Sequence, residues 1–136
     1  MRQESGYLLG ESHTHHDLGV THLALSNVDQ AFKHMRRALE LATTVDSGIE
    51  QAFADNGLGE INFATARFSD AADHFERALA EATASQCIDE QARAHFGLAR
   101  LPGQGPDDAQ EHLKCGQHLI ATMQVPEPPI PTLPPG

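Results

Sequence analysis

The chain has 136 residues, of which 40 % are apolar and 21 % are charged, as is usual for one small globular domain. Six Phe, one Tyr and no Trp are too few aromatic residues for a typical β-sandwich, whereas the good helix formers Ala, Leu, Glu and Gln recur throughout. Nineteen acidic residues against nine Lys and Arg give a net charge of -10, which argues against binding to nucleic acid phosphates or to an anionic membrane surface.

Cellular location is indicated by the cysteines and by the apolar runs. Cys87 and Cys115 are too few for a disulfide framework and fit a reducing compartment. No apolar run reaches transmembrane length, and the N-terminus has no apolar signal core. We therefore expect a cytoplasmic protein that carries no cofactor and does not bind a membrane.

Apolar spacing predicts helices along most of the chain. Ala31, Met35 and Ala38 lie three to four residues apart, as on one face of a helix. Polar and Gly- or Pro-containing breaks divide the sequence into six predicted helices, at 10–25, 28–43, 49–65, 68–83, 89–101 and 107–123. The segment 125–136 contains six of the eight prolines, so we expect a flexible tail after a helical domain at 1–124.

An internal repeat relates these helices to one another. Gly19 and Gly59 are 40 residues apart, and at the same offset His34 corresponds to His74. A third, weaker copy follows at an offset of 38, with Phe96-Gly97 at the place of Leu58-Gly59. Three helix pairs in tandem predict an all-α solenoid.

The repeated residues resemble the tetratricopeptide repeat. Its signature order is Leu-Gly in the first helix, followed by small and large apolar positions in the second helix. The first two copies carry this order as Leu18, Gly19, Ala31, Met35, Ala38 and as Leu58, Gly59, Ala71, Phe75, Ala78. The resemblance implies a right-handed stack of three helix-turn-helix repeats that binds a protein or peptide and has no catalytic activity.

A narrower resemblance concerns large actinobacterial transcriptional regulators of the antibiotic-regulatory (SARP) type and their ATPase-containing relatives. The phrases at 6–11, 74–79 and 89–95 are similar to their C-terminal repeats. Residues 5–11 resemble the junction between two repeats, so we expect the chain to be a fragment of a longer array or, as an alternative, a small gene product that has lost its upstream repeats. This resemblance implies a sensor or interaction region without the DNA-binding and ATPase modules.

In such a stack the first helices line a concave groove, which is where we expect a partner to bind. Phe53, Phe63 and Leu98 would form an apolar strip there, with polar neighbours beside it. The predicted partner-binding residues are His16, Val20, Phe53, Asn56, Glu60, Phe63, Gln91 and Leu98.

Two other hypotheses remain open at this point. A homodimer would cover the apolar ends of a three-repeat stack. A metal site would use His13, His15 and His16, although His13 and His16 have only Asp17 nearby as a third ligand. His34, His74 and His112 recur at one place of the repeat, but equivalent sites in successive repeats lie too far apart to share an ion.

A short basic cluster lies in the second helix. Lys33, Arg36 and Arg37 are too few for a nucleic acid surface, and we expect them to pair with Glu40 and other acids.

Overall fold

The computed structural model describes residues 2–123, with side chains from residue 4 onward, so the predicted tail at 125–136 lies outside the described residues. Within that range the chain is all-α. Its helices are α1 (Arg2–Ala24), α2 (Val28–Thr44), α3 (Gly48–Ala64), α4 (Phe68–Ala84), α5 (Ile88–Ala99) and α6 (Pro106–Met123). The last five agree with the predicted helices within two residues at each end.

Helix α1 is longer than predicted. It begins at Arg2 instead of residue 10, so residues 5–11 lie inside one helix and are not a junction between repeats. The expectation of a junction is wrong because nothing in this segment breaks a helix. Among the residues that the structure describes, nothing outside the adjacent part of α1 lies within 4 Å of the place of a Cβ atom at Gly6 or Gly10, and Tyr7 is 71 % exposed.

One turn geometry explains the 40-residue period. The residues Ser26, Asp46, Ala66 and Gln86 follow the first four helices, each with φ between 53° and 63°. The residue after each of them donates its backbone N–H to a carbonyl five residues earlier, as Asn27 does to His22 at 2.8 Å, which closes the helix end. Each helix with its turn therefore occupies 20 residues, until the connection at 100–105 breaks this pattern.

The helices form two layers. Each of α2 and α4 packs against the first helix of its own repeat and that of the next one, and α6 packs against α5. Helix α3 contacts both α1 and α5, whereas α2, α4 and α6 do not contact one another in the described part of the chain. The surface shared by α1, α3 and α5 is therefore the inner face of the stack, and α2, α4 and α6 form the outer layer.

Large side chains in the second helices fill spaces that glycines leave in the first helices. A Cβ atom at Gly59 or Gly97 would lie 2.6 or 2.5 Å from Cε1 of Phe75, which is fully buried. Met35 is packed in the same way between Gly19 and Gly57. These contacts join each repeat to the next.

The glycine contacts also correct the register of the third repeat. Gly97 meets Phe75 as Gly57 meets Met35, so α5 follows α3 at an offset of 40, and Gly97 corresponds to Gly57. The predicted match of Phe96-Gly97 with Leu58-Gly59 is therefore wrong. Only α6 follows at an offset of 38, because α5 ends earlier and its connection to α6 differs.

Candidate functional site

An aromatic cluster links α1 to α3 on the inner face. His16 and Phe53 have ring centroids 5.6 Å apart, and the ring of His13 lies 6.5 Å from that of Phe53. His16 is 8 % exposed, and neither of its ring nitrogens has a hydrogen-bond partner among the described residues. Burial, and after it the positive charge of Arg93, lowers the pKa of His16, so the neutral ring is favoured. Two predicted groove residues therefore lie together here.

Asn56 connects α3 to α5 and is fully buried. Its side-chain Nδ2 donates to the backbone carbonyl of Glu90 at 3.0 Å and to Oε2 of Glu90 at 2.9 Å. Glu90 is 1 % exposed and also accepts a hydrogen bond from Arg93 at 3.0 Å. The donor groups of Asn56 are thus used within the fold and are not presented to a partner.

Glu60 and Phe63 meet Arg100 at the other end of the inner face. Arg100 donates to Oε1 of Glu60 at 2.7 Å, and its guanidinium lies 4.7 Å from the centroid of the Phe63 ring. Phe63 also packs against Phe68, with 5.6 Å between the ring centroids, and against the core around Phe75. The side chains of Glu60 and Phe63 are partly exposed, so they border solvent while their contacts with Arg100 join α3 to the end of α5.

The remaining predicted groove residues lie in three different environments. Val20 is 46 % exposed on α1. Gln91 reaches the outer layer, where its Nε2 lies 3.4 Å from the carbonyl oxygen of Ala82 on α4. Leu98 is 5 % exposed and belongs to the core with Ala71 and Phe75, so it offers almost no surface to a partner.

Sequence reasoning missed a pair of polar residues that recurs inside each repeat. Nδ1 of His15 lies 2.9 Å from Nδ1 of His34, and the pair His95 and His112 is joined in the same way at 3.0 Å. In each pair one imidazole must donate and the other accept, which two protonated rings cannot do. Burial and the neighbouring imidazole accordingly lower the pKa of His95, and burial followed by the neighbouring histidines lowers that of His34. Residues 15, 55 and 95 recur at an offset of 40 and lie opposite 34, 74 and 112 of the second helices. The incorrect register of α5 conceals this pairing in the sequence.

In the second repeat an acid replaces one histidine of this pair. Asp55 is fully buried and its Oδ1 lies 2.9 Å from Nδ1 of His74. Burial alone would raise the pKa of Asp55, but the hydrogen bonds from His74 and Glu81 and the charge of Arg77 bring it below its ordinary value. Burial and the adjacent Asp55 raise the pKa of Glu81 to about 9. Among the described residues, Oδ2 of Asp55 and Oε1 of Glu81 have no hydrogen-bond donor beside them unless Glu81 is protonated, and one proton held by Glu81 would satisfy both.

The three N-terminal histidines do not converge. His13 and His16 stack with ring centroids 6.2 Å apart and face Phe53, whereas His15 faces α2. Among residues 4–123 no group of three or more His, Cys, Asp or Glu side chains is arranged to hold a metal ion.

Comparison with known families agrees with this architecture. A model of the tetratricopeptide repeat matches residues 10–84, which is more than half of the chain. The chain belongs to the tetratricopeptide repeat family. This family has a non-catalytic repeat fold that generally mediates protein–protein interaction. No curated protein and no solved structure matches the chain.

Among the helices that the structure describes, none is both long enough and apolar enough to cross a membrane.

Proposed function

We propose that the chain is a non-enzymatic interaction module that binds a protein or peptide segment on its inner face. The observation that supports this proposal is the accessible part of that face. The half-buried Phe53 offers apolar surface there, as does the exposed Val20, which lies one helical turn after His16 on α1, and the Glu60–Arg100 pair offers charge. Mixed apolar and polar surface of this kind is typical of peptide recognition sites.

The eight predicted residues have two different roles in this proposal. Val20, Phe53, Glu60 and Phe63 contact the partner, since each has solvent-accessible surface. His16, Asn56, Gln91 and Leu98 hold the three first helices and their neighbours in place.

The biological setting that we propose is the cytoplasm, in the sensor or interaction region of a transcriptional regulator. Two free cysteines support a reducing compartment. The regulator assignment is supported by the sequence resemblance at 74–79 and 89–95 alone, and it implies a protein partner instead of direct contact with nucleic acid.

Affinity capture with matched variants tests the inner face. Val20→Glu places a charge on this face at an exposed position, whereas the control Leu25→Glu makes the same change at a residue that is 65 % exposed in the turn after α1. We expect partners from the source lysate to bind the native chain and the Leu25→Glu variant, and to be lost from Val20→Glu. Equal capture by both variants would contradict the proposal.

Self-association is a second candidate function, supported by the open face of the third repeat. A groove of about 560 Å³ lies between α5 and α6 and is lined by Phe96, Pro106 and Leu113. Leu113 stands where Phe75 and Met35 stand in the earlier repeats, yet it is only partly buried because no following repeat packs on it within residues 2–123. Light scattering over a dilution series tests this candidate, and a monomer at every concentration would exclude it.

A further inference from the structure

A large cleft of the described chain lies in the outer layer, away from the inner face. It has a volume of about 1610 Å³ between α2 and α4, and Leu58 and Asn62 of α3 form its floor. We call it the outer cleft and define it by Phe32, Lys33, Arg36, Leu58, Arg67 and Arg77. Small-molecule pockets usually measure about 300–1,000 Å³, so this cleft has room for a segment of a polypeptide.

The outer cleft is basic although the chain as a whole is strongly acidic. Five of the nine Lys and Arg residues line it, namely Lys33, Arg36, Arg37, Arg67 and Arg77. Its acidic lining residues are Asp29, Glu40 and Asp70. The cleft is therefore positive within a protein whose net charge is -10.

Within residues 4–123, ion pairs neutralise only part of this positive charge. Arg37 pairs with Glu40 at 3.1 Å, and Arg77 lies 4.0 Å from Asp55. Lys33, Arg36 and Arg67 are exposed, and none has an acidic partner within 4.0 Å among the described residues. The predicted pairing of the basic cluster with acids is thus correct for Arg37 and wrong for Lys33 and Arg36.

Two of the unpaired cations converge on one aromatic ring. The guanidinium of Arg36 lies 5.4 Å from the centroid of Phe32, and that of Arg67, which comes from the next repeat, lies 5.7 Å from it. The ring attracts each guanidinium, but the two positive charges repel each other. Carboxylates bound between them would remove this repulsion.

The lining also indicates which kind of anion fits. Apolar side chains of Val28, Phe32 and Leu39 alternate with the cations, which suits a polypeptide that carries both acidic and apolar side chains. Nucleic acid binding commonly uses about 6–10 phosphate contacts, more than three unpaired cations supply.

We propose that the outer cleft binds an acidic, extended segment of a partner protein. Carboxylates of that segment pair with Lys33, Arg36 and Arg67, and an apolar side chain of the segment packs against Phe32. This surface is separate from the inner face, so the tetratricopeptide array has two binding surfaces on opposite layers.

Fluorescence anisotropy with a defined probe tests this proposal. The probe is a labelled peptide of about twelve residues in which Glu alternates with Leu, and a peptide with Gln in place of Glu serves as the uncharged control. We expect the Glu peptide to bind the native chain about tenfold more tightly than the Gln peptide, with an affinity that falls as salt is added. Failure of the Glu peptide to bind more tightly than the Gln peptide would overturn the proposal.

Charge-reversal variants locate the binding. Arg36→Glu and, independently, Lys33→Glu should each weaken binding of the Glu peptide about tenfold. The matched control Lys114→Glu changes the charge equally on α6, outside the cleft, and should alter the affinity less than about twofold. Equal weakening in all three variants would overturn the proposal, since binding would then follow net charge alone. Tighter binding of a twelve-nucleotide single-stranded RNA that is lost in Arg36→Glu would also overturn it. Circular dichroism confirms that each variant is folded.

Discussion

On the inner face, polar side chains bind one another, whereas in the outer cleft several basic side chains have no acidic partner within the described chain. Asn56, Glu90 and Arg93 form one network, and Glu60 pairs with Arg100. By contrast, Lys33, Arg36 and Arg67 line the outer cleft, and no acidic side chain of residues 4–123 lies within 4.0 Å of them. The difference shows that a residue at a typical ligand-binding position of a repeat can be used for contacts within the fold. Side chains on the opposite layer can then remain available to a partner.

The largest expected effect is a difference in the stability that is lost when a residue of each surface is replaced by Ala. Asn56→Ala should lower the free energy of unfolding by about 2–3 kcal/mol, because it removes two hydrogen bonds and leaves the buried carboxylate of Glu90 with fewer donors. Arg36→Ala should lower it by less than about 1 kcal/mol, since that side chain is exposed, contacts the ring of Phe32 and has no ion pair among the described residues. Urea unfolding at pH 7 measures both. Similar losses in the two variants would remove the distinction between the surfaces.

A pH-dependent effect is expected in the second repeat, where Glu81 of α4 interacts with the buried Asp55 of α3. The folded-state pKa of Glu81, about 9, lies above its ordinary value of 4.5. The stabilisation from its bound proton is therefore complete below pH 4.5 and is lost as the pH rises through 9. Gln holds its hydrogens at every pH, so Glu81→Gln should be more stable than the native chain at pH 8 by about 1–2 kcal/mol, after allowance for solvent screening.

The matched control is Glu76→Gln, which makes the same change at an exposed position on α4. Unfolding free energies of the three proteins at pH 4 and pH 8 decide the outcome. If Glu76→Gln and Glu81→Gln increase the unfolding free energy equally at pH 8, Asp55 and Glu81 do not share a proton.

The opposite pH dependence is expected on the inner face. Because burial and Arg93 lower the pKa of His16, its neutral form stabilises the fold above the ordinary value of 6.5. That contribution is lost as the pH falls from 6.5 through the lowered pKa, since the unfolded chain then binds the proton more readily. His16→Phe, which copies Phe96 of the third repeat, should lose about 1 kcal/mol less stability than the native chain between pH 7 and pH 5.

His118→Gln is the control for this change, because His118 is exposed on α6. Thermal or urea unfolding across this pH range measures the slopes. The quantity compared is the slope of the unfolding free energy against pH. If His118→Gln reduces this slope as strongly as His16→Phe does, the environment of His16 is not special.

The smallest expected effect concerns the ion pair on the inner face. Side chains of Glu60 and Arg100 are 32 % and 45 % exposed, so their attraction is screened by water. A double-mutant cycle with Glu60→Gln and Arg100→Gln should give a coupling energy of about 0.2–1 kcal/mol that shrinks at about 1 M NaCl. A coupling of zero at low salt would mean that this pair does not join α3 to α5.

The sequence predicts the helices well because their signals are local. Five helices end where Ser26, Asp46, Ala66, Gln86 and the loop at 100–105 interrupt the apolar stripe. The start of α1 is not marked in this way, since Gly6 and Gly10 are exposed to solvent and break no packing.

The site is less predictable because it depends on which side chains meet across helices. Periodicity places Asn56 and Leu98 on first helices. The structure shows in addition that Asn56 is hydrogen-bonded to Glu90 and that Leu98 packs in the core with Phe75, so neither is free to bind a partner. The register of α5 depends on the contact of Gly97 with Phe75, which lies between two repeats. Likewise, Arg36 and Arg67 are 31 positions apart and meet only when two repeats stack.

Site-specific photocrosslinking tests most directly the central claim, that the accessible inner face binds the protein partner. A photoreactive amino acid replaces Val20 in one protein and, as the control, Leu25 in another, and both are irradiated in lysate of the source organism. Our account predicts discrete adducts with a partner from position 20 and none from position 25. Adducts from position 25 alone, or the same adducts from both positions, would contradict it.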